Sequence, residues 1–436
     1  MGAAPLPRAT LERLLRAGLR AANAGAAVAR HVSVSTDGSL RVGDASIAPG
    51  ERLVVLAVGK AASPMARALV EVAPGRVARG LVVTKDGHGE PVPGLALRET
   101  AHPVPDARCE AAGREALRLA ASGREHERLV VLLSGGASSL LACPAEGLSL
   151  SDVASTTDAL LHSGADIEAM NTVRKHLSAL AGGRLAEAWR GGPIVLLAVS
   201  DVPGDRLDVI GSGPCTPDPS TFEDAWQVLA AAGLTGDVPE AVRRHLLAGR
   251  RGQWPETPDR LEPVQACVIA ANETALAAIA EEAGREDLRV QRDPSPLAGE
   301  AREAALRLLA DARAAAGEAA LLWIAGGETT VRSESEANVG RGGRNQELAL
   351  AAALAIEGDP RVTLLAAGTD GSDGPTDAAG AFVDGDSVAR GSARGFDARS
   401  ALARHDSHSF FVAEGGVLRT GPTGTNVMDL ALVSLG

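Results

Sequence analysis

The 436-residue chain contains no tyrosine and only four Trp and five Phe. So few rings exclude the aromatic platforms on which single-stranded nucleic acid stacks. Lysine is almost as scarce: three of the forty-three basic residues are Lys, and the rest are Arg. The net charge of −12 has the wrong sign for gripping nucleic acid or an anionic membrane along a surface. Four cysteines (Cys109, Cys143, Cys215 and Cys267) stand far apart with no CxxC pair. That spacing argues against a disulfide framework or a Cys-rich zinc site and fits a reducing cytoplasm. The longest apolar run, about Leu348–Ile356, is Ala-rich and far short of the ~20 residues a membrane span needs. The first twenty residues carry Arg8, Glu12, Arg13, Arg16 and Arg20 with no apolar stretch, and position six is Leu. Neither a secretory signal nor a myristoylation site is expected there.

What is present reads as a globular α/β protein. Apolar residues at 45% and charged residues at 22% exclude disorder and fibre. A chain this long suggests two or three domains at about 100–200 residues each. Short apolar runs at Leu53–Val58, Leu81–Thr84, Leu129–Leu133 and Ile194–Val199 alternate with helical patterns at Ala61–Val72, Ala107–Ala121 and Ile167–Trp189. Such alternation predicts a mostly parallel sheet covered on both faces. Helices are expected again at Phe222–Ala232 and Glu240–Ala248. Arg250–Pro263, with three prolines and dense charge, is the expected linker between domains 1–249 and 264–436. Beyond it, strands are expected at Ala266–Ala270, Arg289–Gln291, Leu321–Ala325, Val362–Ala366 and Ser409–Val412. Helices are expected at Glu273–Ala283, Leu297–Ala316 and Asn345–Glu357.

Ligands of open α/β sheets bind beyond the carboxyl ends of the strands, and here those ends are rich in Gly and Asp. LSGGASS (Leu133–Ser139) has the makings of an anion cradle, with Ser134, Gly135, Gly136, Ala137 and Ser138 supplying backbone N–H groups and hydroxyls. It does not match GxSxG, so a nucleophile elbow is not supported. Lys60, in VGKAA, follows a strand and begins a helix, where a point charge would sit over an anion. NTVRKHLSALAGG crowds Asn171, Arg174, Lys175 and Ser178 on adjacent helical turns, a pattern that equally describes a solvated charged face. GRGGRNQELAL (Gly340–Leu350) is neither a P-loop nor a dinucleotide fingerprint, yet Arg341, Gly342 and Arg344 would clamp a phosphoryl group. Asp201, Asp205, Glu328, Asp370, Asp373 and Asp377 are hard oxygen ligands suited to Mg²⁺, some of which must serve only as turn caps. His405 and His408 lack a third ligand and read as structural. Ser333–Val339 is Glu/Ser-rich and reads as a mobile hairpin tip. Cationic cradles and carboxylates without an activated nucleophile are what phosphoryl transfer requires.

The order of these segments resembles the class II glycerate kinases, of the glycerate 2-kinase type with a MOFRL-type C-terminal domain. The resemblance runs from VLAVGKAASPMARAL through LSGGASSLL, NTVRKHLSALAGGRLA, SDVPGDRLDVIGSGP, NETALAA, GGETTV, GRGGRNQELAL and AAGTDGSDGPTDAAGA to TGPTGTNVMDLAL. It implies a Rossmann-like N-terminal domain, a smaller α/β C-terminal domain and an active-site cleft between them. It also implies ATP- and Mg²⁺-dependent phosphorylation of D-glycerate at the 2-hydroxyl, with Lys60 and Arg344 as the central residues. Beside these, Asp201 is expected to act on the hydroxyl proton and Asp370 and Asp373 to hold Mg²⁺. Ser134, Gly135, Gly136, Ala137 and Ser138 are expected to cradle an ATP phosphate or the glycerate carboxylate, and Glu328, Arg341 and Gly342 to contact ATP. No nucleic acid or membrane partner is expected; the sequence leaves the oligomeric state open, and a homodimer would be unsurprising.

Two other readings compete. An NAD(P)H-dependent hydroxypyruvate reductase would want a strand–GxGxxG–helix unit, which the sequence lacks. A non-catalytic phospho-acid-binding protein would need the cradles but not the carboxylates at Asp201, Asp370 and Asp373.

Overall fold

Strand Arg52–Val58 is buried on both faces from Leu53 onward, as a continuous apolar run should be at the centre of a parallel sheet. The computed structural model describes residues 4–262, 264–317, 319–332 and 340–436. The expected hairpin tip at Ser333–Val339 lies outside the described residues.

Arg52–Val58 pairs in parallel with Val77–Lys85 on one side and Glu127–Leu133 on the other. Ala96–Thr100 extends the first flank, and Ile194–Val199 and Val264–Ala270 extend the second. The chain therefore builds outward in one direction, then returns to the centre and builds in the other. The reversal lies between Arg52–Val58 and Glu127–Leu133, and such a switch point opens a crevice at the carboxyl ends of the two strands. Lys60 and the Ser134–Ser138 turn follow those two ends. The long helix expected over Ile167–Trp189 is instead two, Ile167–His176 and Arg184–Ala188. Gly182 and Gly183, with φ of 59° and 84°, turn the chain between them.

The chain divides into two compact units, 24–269 and a second made of 1–23 with 270–436. This differs from the expected boundary at 250–263. Residues on that segment are tied into the first unit: Glu256 accepts the Phe222 N–H at 2.9 Å, and the Asp218 N–H donates to Pro258 O at 2.9 Å. Val264–Ala270 then completes the parallel sheet. The N-terminal helix Arg8–Ala21 belongs to the other unit because its apolar stripe, Leu11, Leu14 and Leu15, needs a partner. It finds one in helix Asn272–Gly284, packed so closely that a methyl at Gly18 would lie 2.9 Å from Ile279. Further ties run from Leu6 N–H to Ser434 Oγ (2.9 Å) and from Thr425 Oγ to Ala22 O (2.6 Å).

The second unit has a mixed six-stranded sheet. Leu321–Gly327 and Val362–Gly368 run the same way, and Asp429–Leu435 is wedged antiparallel between them. The first residue of the wedge, Asp429, lies opposite both Gly327 and Gly368, at the carboxyl ends of the two parallel strands. Helix Arg344–Ala355 is buried on all sides from Asn345 to Ala353, which its Ala/Leu-rich sequence permits. The strand expected at Ser409–Val412 is part of helix Ser407–Glu414, with Phe410 and Phe411 fully buried. A short apolar run cannot be assigned to strand or helix by periodicity alone. No helix among the described residues is long and apolar enough to cross a membrane.

Candidate active site

In unit 24–269 the two loops at the switch point are fastened to each other by backbone. The Ser134 N–H donates to Val58 O (2.9 Å), and the Lys60 N–H donates to Gly135 O (2.9 Å). The Ala61 N–H donates to Ser134 Oγ (3.0 Å). Ser134 is wholly buried, so its hydroxyl builds the loop pair instead of facing a ligand. Gly59 has φ of 127°, and any side chain there would overlap the Ser134 hydroxyl and carbonyl oxygens. Gly59→Ala is expected to cost roughly 2–4 kcal/mol, measured as an earlier urea midpoint, because strain and overlap add.

The remaining cradle residues lie on the rim. Gly136 takes φ of 86° beside the His102 ring and starts the short helix Ala137–Leu140. Ser138 Oγ lies 3.0 Å from Ser212 Oγ, and Ser212 itself holds φ of 60°. A cavity of about 270 Å³ opens here, with Val58, Leu133, Ala137, Ser138, Arg174 and Ser212 among its walls. Half-buried Asp201 follows strand Ile194–Val199. Lys175 is no solvated cation: it is buried and paired with Asp218 at 3.4 Å.

In the other unit, Arg344 opens helix Arg344–Ala355 and forks onto Asp429, Nε to Oδ2 at 2.5 Å and Nη2 to Oδ1 at 2.9 Å. Its Nη1 lies 2.7 Å from Glu328. Burial works against the guanidinium charge, but the Asp429 hydrogen bonds outweigh it and raise the Arg344 pKa. Glu328, Gly342, Gly343, Arg344, Glu347 and His405 are among the residues lining a cavity of about 520 Å³. The Arg341 side chain is exposed. Its backbone holds the loop in place, the N–H donating to Asp406 Oδ1 (3.1 Å) and the carbonyl accepting from the His408 N–H (2.9 Å).

Asp373 departs from its expected role as a metal ligand. It accepts from the Asn345 and Gln346 N–H groups (2.9 and 2.8 Å) and from both side-chain amides (3.2 and 2.9 Å). It is buried, and burial pushes its carboxyl above the usual range while these four donors pull it back. Its lone pairs are committed to the N-terminus of the helix that carries Arg344. Asp373→Ala is expected to lower stability by about 2–3 kcal/mol without Mg²⁺ present, since it orphans buried donors. Thermal unfolding in EDTA reads this; a variant altered only in its Mg²⁺ dependence would argue for a ligand. Asp370 is half-buried and caps its own turn through the Ser372 N–H at 2.9 Å. His408 holds Gln346 Oε1 at 2.9 Å, and His405 holds Glu347 at 2.9 Å, so both histidines are structural here. Among the described residues no three His, Cys, Asp or Glu side chains converge as a metal site.

Asp429 and Ser212 carry no assignment from sequence, and Arg174 only its place in the crowded helical cluster. Asp429 left only one faint mark, a lone Asp opening a strand.

Residues 10–247 match the profile of a domain of unknown function, DUF4147, and residues 321–429 match the MOFRL family. A protein from Pyrococcus horikoshii named glycerate 2-kinase is 41% identical, over 96% of this chain and 95% of its own length. A Thermotoga maritima protein named D-glycerate 2-kinase is 44% identical, over 88% and 90%. The chain belongs to the class II glycerate kinases. The solved Thermotoga maritima glycerate kinase superposes on this family member with a TM-score of 0.83 at 39% identity, covering 98% of this chain and 99% of that one. One Agrobacterium vitis relative, 41% identical over 89% of this chain and 88% of its own, carries the name putative hydroxypyruvate reductase. In this glycerate kinase relative, Lys60 follows the end of strand Arg52–Val58 in one unit, and Arg344 opens helix Arg344–Ala355 in the other.

Proposed function

We propose that this chain phosphorylates D-glycerate at its 2-hydroxyl with Mg-ATP, giving 2-phosphoglycerate and ADP. The observation that carries the reading is that each central cation is fixed at a strand-end loop. Lys60 is held by the Gly59–Ser134 fastening and Arg344 by its fork onto Asp429.

In the reaction the 2-hydroxyl oxygen forms a bond to the γ-phosphorus as the bond from that phosphorus to the β,γ-bridging oxygen breaks. ADP leaves with that bridging oxygen, and the hydroxyl proton passes to Asp201. Lys60 and Arg344 are assigned the neutralisation of phosphate charge, which is where positioned cations act most strongly in such a transition state. The Gly135–Ser138 turn cradles an oxyanion, while Glu328 and Gly342, which border the cavity of about 520 Å³, take the nucleotide together with Arg341 of the same loop as Gly342. Mg²⁺ keeps most of its waters and binds phosphate oxygens, so one or two carboxylates suffice. Asp370 fits that need, and the ion would supply charge neutralisation on the phosphates when bound. The four free thiols support a cytoplasmic setting.

ADP release with Mg-ATP and D-glycerate, with the product identified by NMR, tests the reading. The expected result is 2-phosphoglycerate. NADH oxidation with hydroxypyruvate and no ADP release would overturn it in favour of a reductase.

A further inference from the structure

The cavity of about 270 Å³ in unit 24–269 contains one cation, Arg174, from helix Ile167–His176. Three other cations of this unit are engaged: Lys175 with Asp218, Arg206 with Glu168 and Asp208, and Arg184 with the carbonyls of Lys175 and Pro255. Arg174 makes no side-chain hydrogen bond or ion pair among the described residues. Asp158, exposed on the cavity rim, forms no ion pair with it. Arg174 is half-buried, and desolvation alone acts on the guanidinium and lowers its pKa, with no carboxylate to offset the cost. A fold retains such a cost where a ligand relieves it.

The hydroxyls around it narrow the ligand. Ser139 donates to Gly136 O, Thr157 donates to Val153 O, and Ser178 is tied to Cys143 O and two backbone N–H groups. Ser138 and Ser212 share a single hydrogen bond, which leaves one hydroxyl proton and several lone pairs open. The rest of the wall is largely apolar, with Val104, Leu141 and Val153 among its residues. One unpaired guanidinium beside one open hydroxyl pair matches a small monoanionic hydroxy acid. A nucleotide triphosphate, with several negative charges, would call for several cations.

We infer that Arg174 is the carboxylate anchor of this cavity, forking onto the acid substrate while Ser138 and Ser212 receive its hydroxyls. Arg174 is thereby the residue that makes the acceptor an acid and not a polyol. The inference rests on the glycerate reading above and goes beyond it by assigning where the carboxylate binds. A guanidinium presents two parallel N–H donors to a carboxylate, which Lys does not reproduce.

Arg174→Met in the full-length protein tests it. The KM for D-glycerate is expected to rise about 10²-fold, since a charged hydrogen-bonded pair is lost, while the KM for ATP stays within about twofold. The ligand-free Tm is expected to hold or rise, because an unpaired, half-buried charge is removed. Glycerate should raise the Tm of the wild type and leave that of the variant unmoved. Arg174→Lys should recover part of the affinity, and Arg174→Gln replaces Met should that variant fail to fold. An unchanged glycerate KM would overturn the inference. So would a rise confined to the ATP KM, or a fall in ligand-free Tm with both KM values unchanged. If the wild type released no ADP, the glycerate reaction would fail separately. The Tm shift would then decide: present in the wild type and absent in the variant supports the anchor, and absent in both overturns it.

Discussion

Lys60→Ala is expected to reduce kcat by about 10²–10³ while leaving the fold intact, the equivalent of 3–4 kcal/mol lost from the transition state. The substitution removes only the side chain. The Lys60 N–H still donates to Gly135 O, and the Ala61 N–H still reaches Ser134 Oγ, so the two strand-end loops stay fastened. A loss of kcat with unchanged Tm and similar KM values would mean that the amine acts on charge appearing in the transition state. Near-normal turnover would remove Lys60 from the reaction. Ser134→Ala makes the complementary test. It orphans the buried Ala61 N–H, so stability and kcat should fall together, by about 1–3 kcal/mol in the first case.

Asp429→Leu is expected to cost about 2–4 kcal/mol of stability, because it strips the forked partner from half-buried Arg344 and leaves it only Glu328 on its exposed side. Arg344→Met alone should cost a similar amount, since it strands the carboxylate. The double variant Arg344→Met with Asp429→Leu should recover most of that loss, because two apolar side chains of similar volume replace a buried ion pair. Activity should stay low in all three. Urea unfolding of the four proteins of this cycle gives the coupling energy, and additive losses would refute the pairing. Glu328, on the exposed side of Arg344, should matter little to the fold: Glu328→Gln is expected to change stability by under about 1 kcal/mol.

The parallel sheet was readable because its central strands are buried on both faces and so appear as unbroken runs such as Leu53–Val58 and Ile194–Val199. The Gly-rich turns after them were readable for the same reason, since a turn must follow where the run stops. Asp429 was not. Its partner Arg344 lies eighty-five residues away, and the two meet only because an antiparallel strand slides between two parallel ones. Strand insertion of that kind leaves no local pattern. Asp373 shows the converse case, a carboxylate on a strand-end turn that serves as a helix cap rather than facing a ligand. Composition cannot separate the two uses, because both want an acidic residue in the same kind of loop. The compact units part at residue 269 and not within Arg250–Pro263, because that segment, for all its linker chemistry, is tied down by Glu256 and Pro258.

The N-terminal helix carries a consequence for biosynthesis. Arg8–Ala21 leaves the ribosome well before its partner Asn272–Gly284, which follows about 250 residues later. At about 5–20 residues per second the apolar stripe of Leu11, Leu14 and Leu15 waits roughly 12–50 s without its native cover. The parallel sheet can assemble during that wait, whereas the unit bearing Arg344 can close only once strand Asp429–Leu435 has been released. A nascent chain that stalls after the first sheet is thus a well-formed half attached to a sticky amphipathic tail. That is the species from which aggregation should start, and the one a holdase chaperone should recognise.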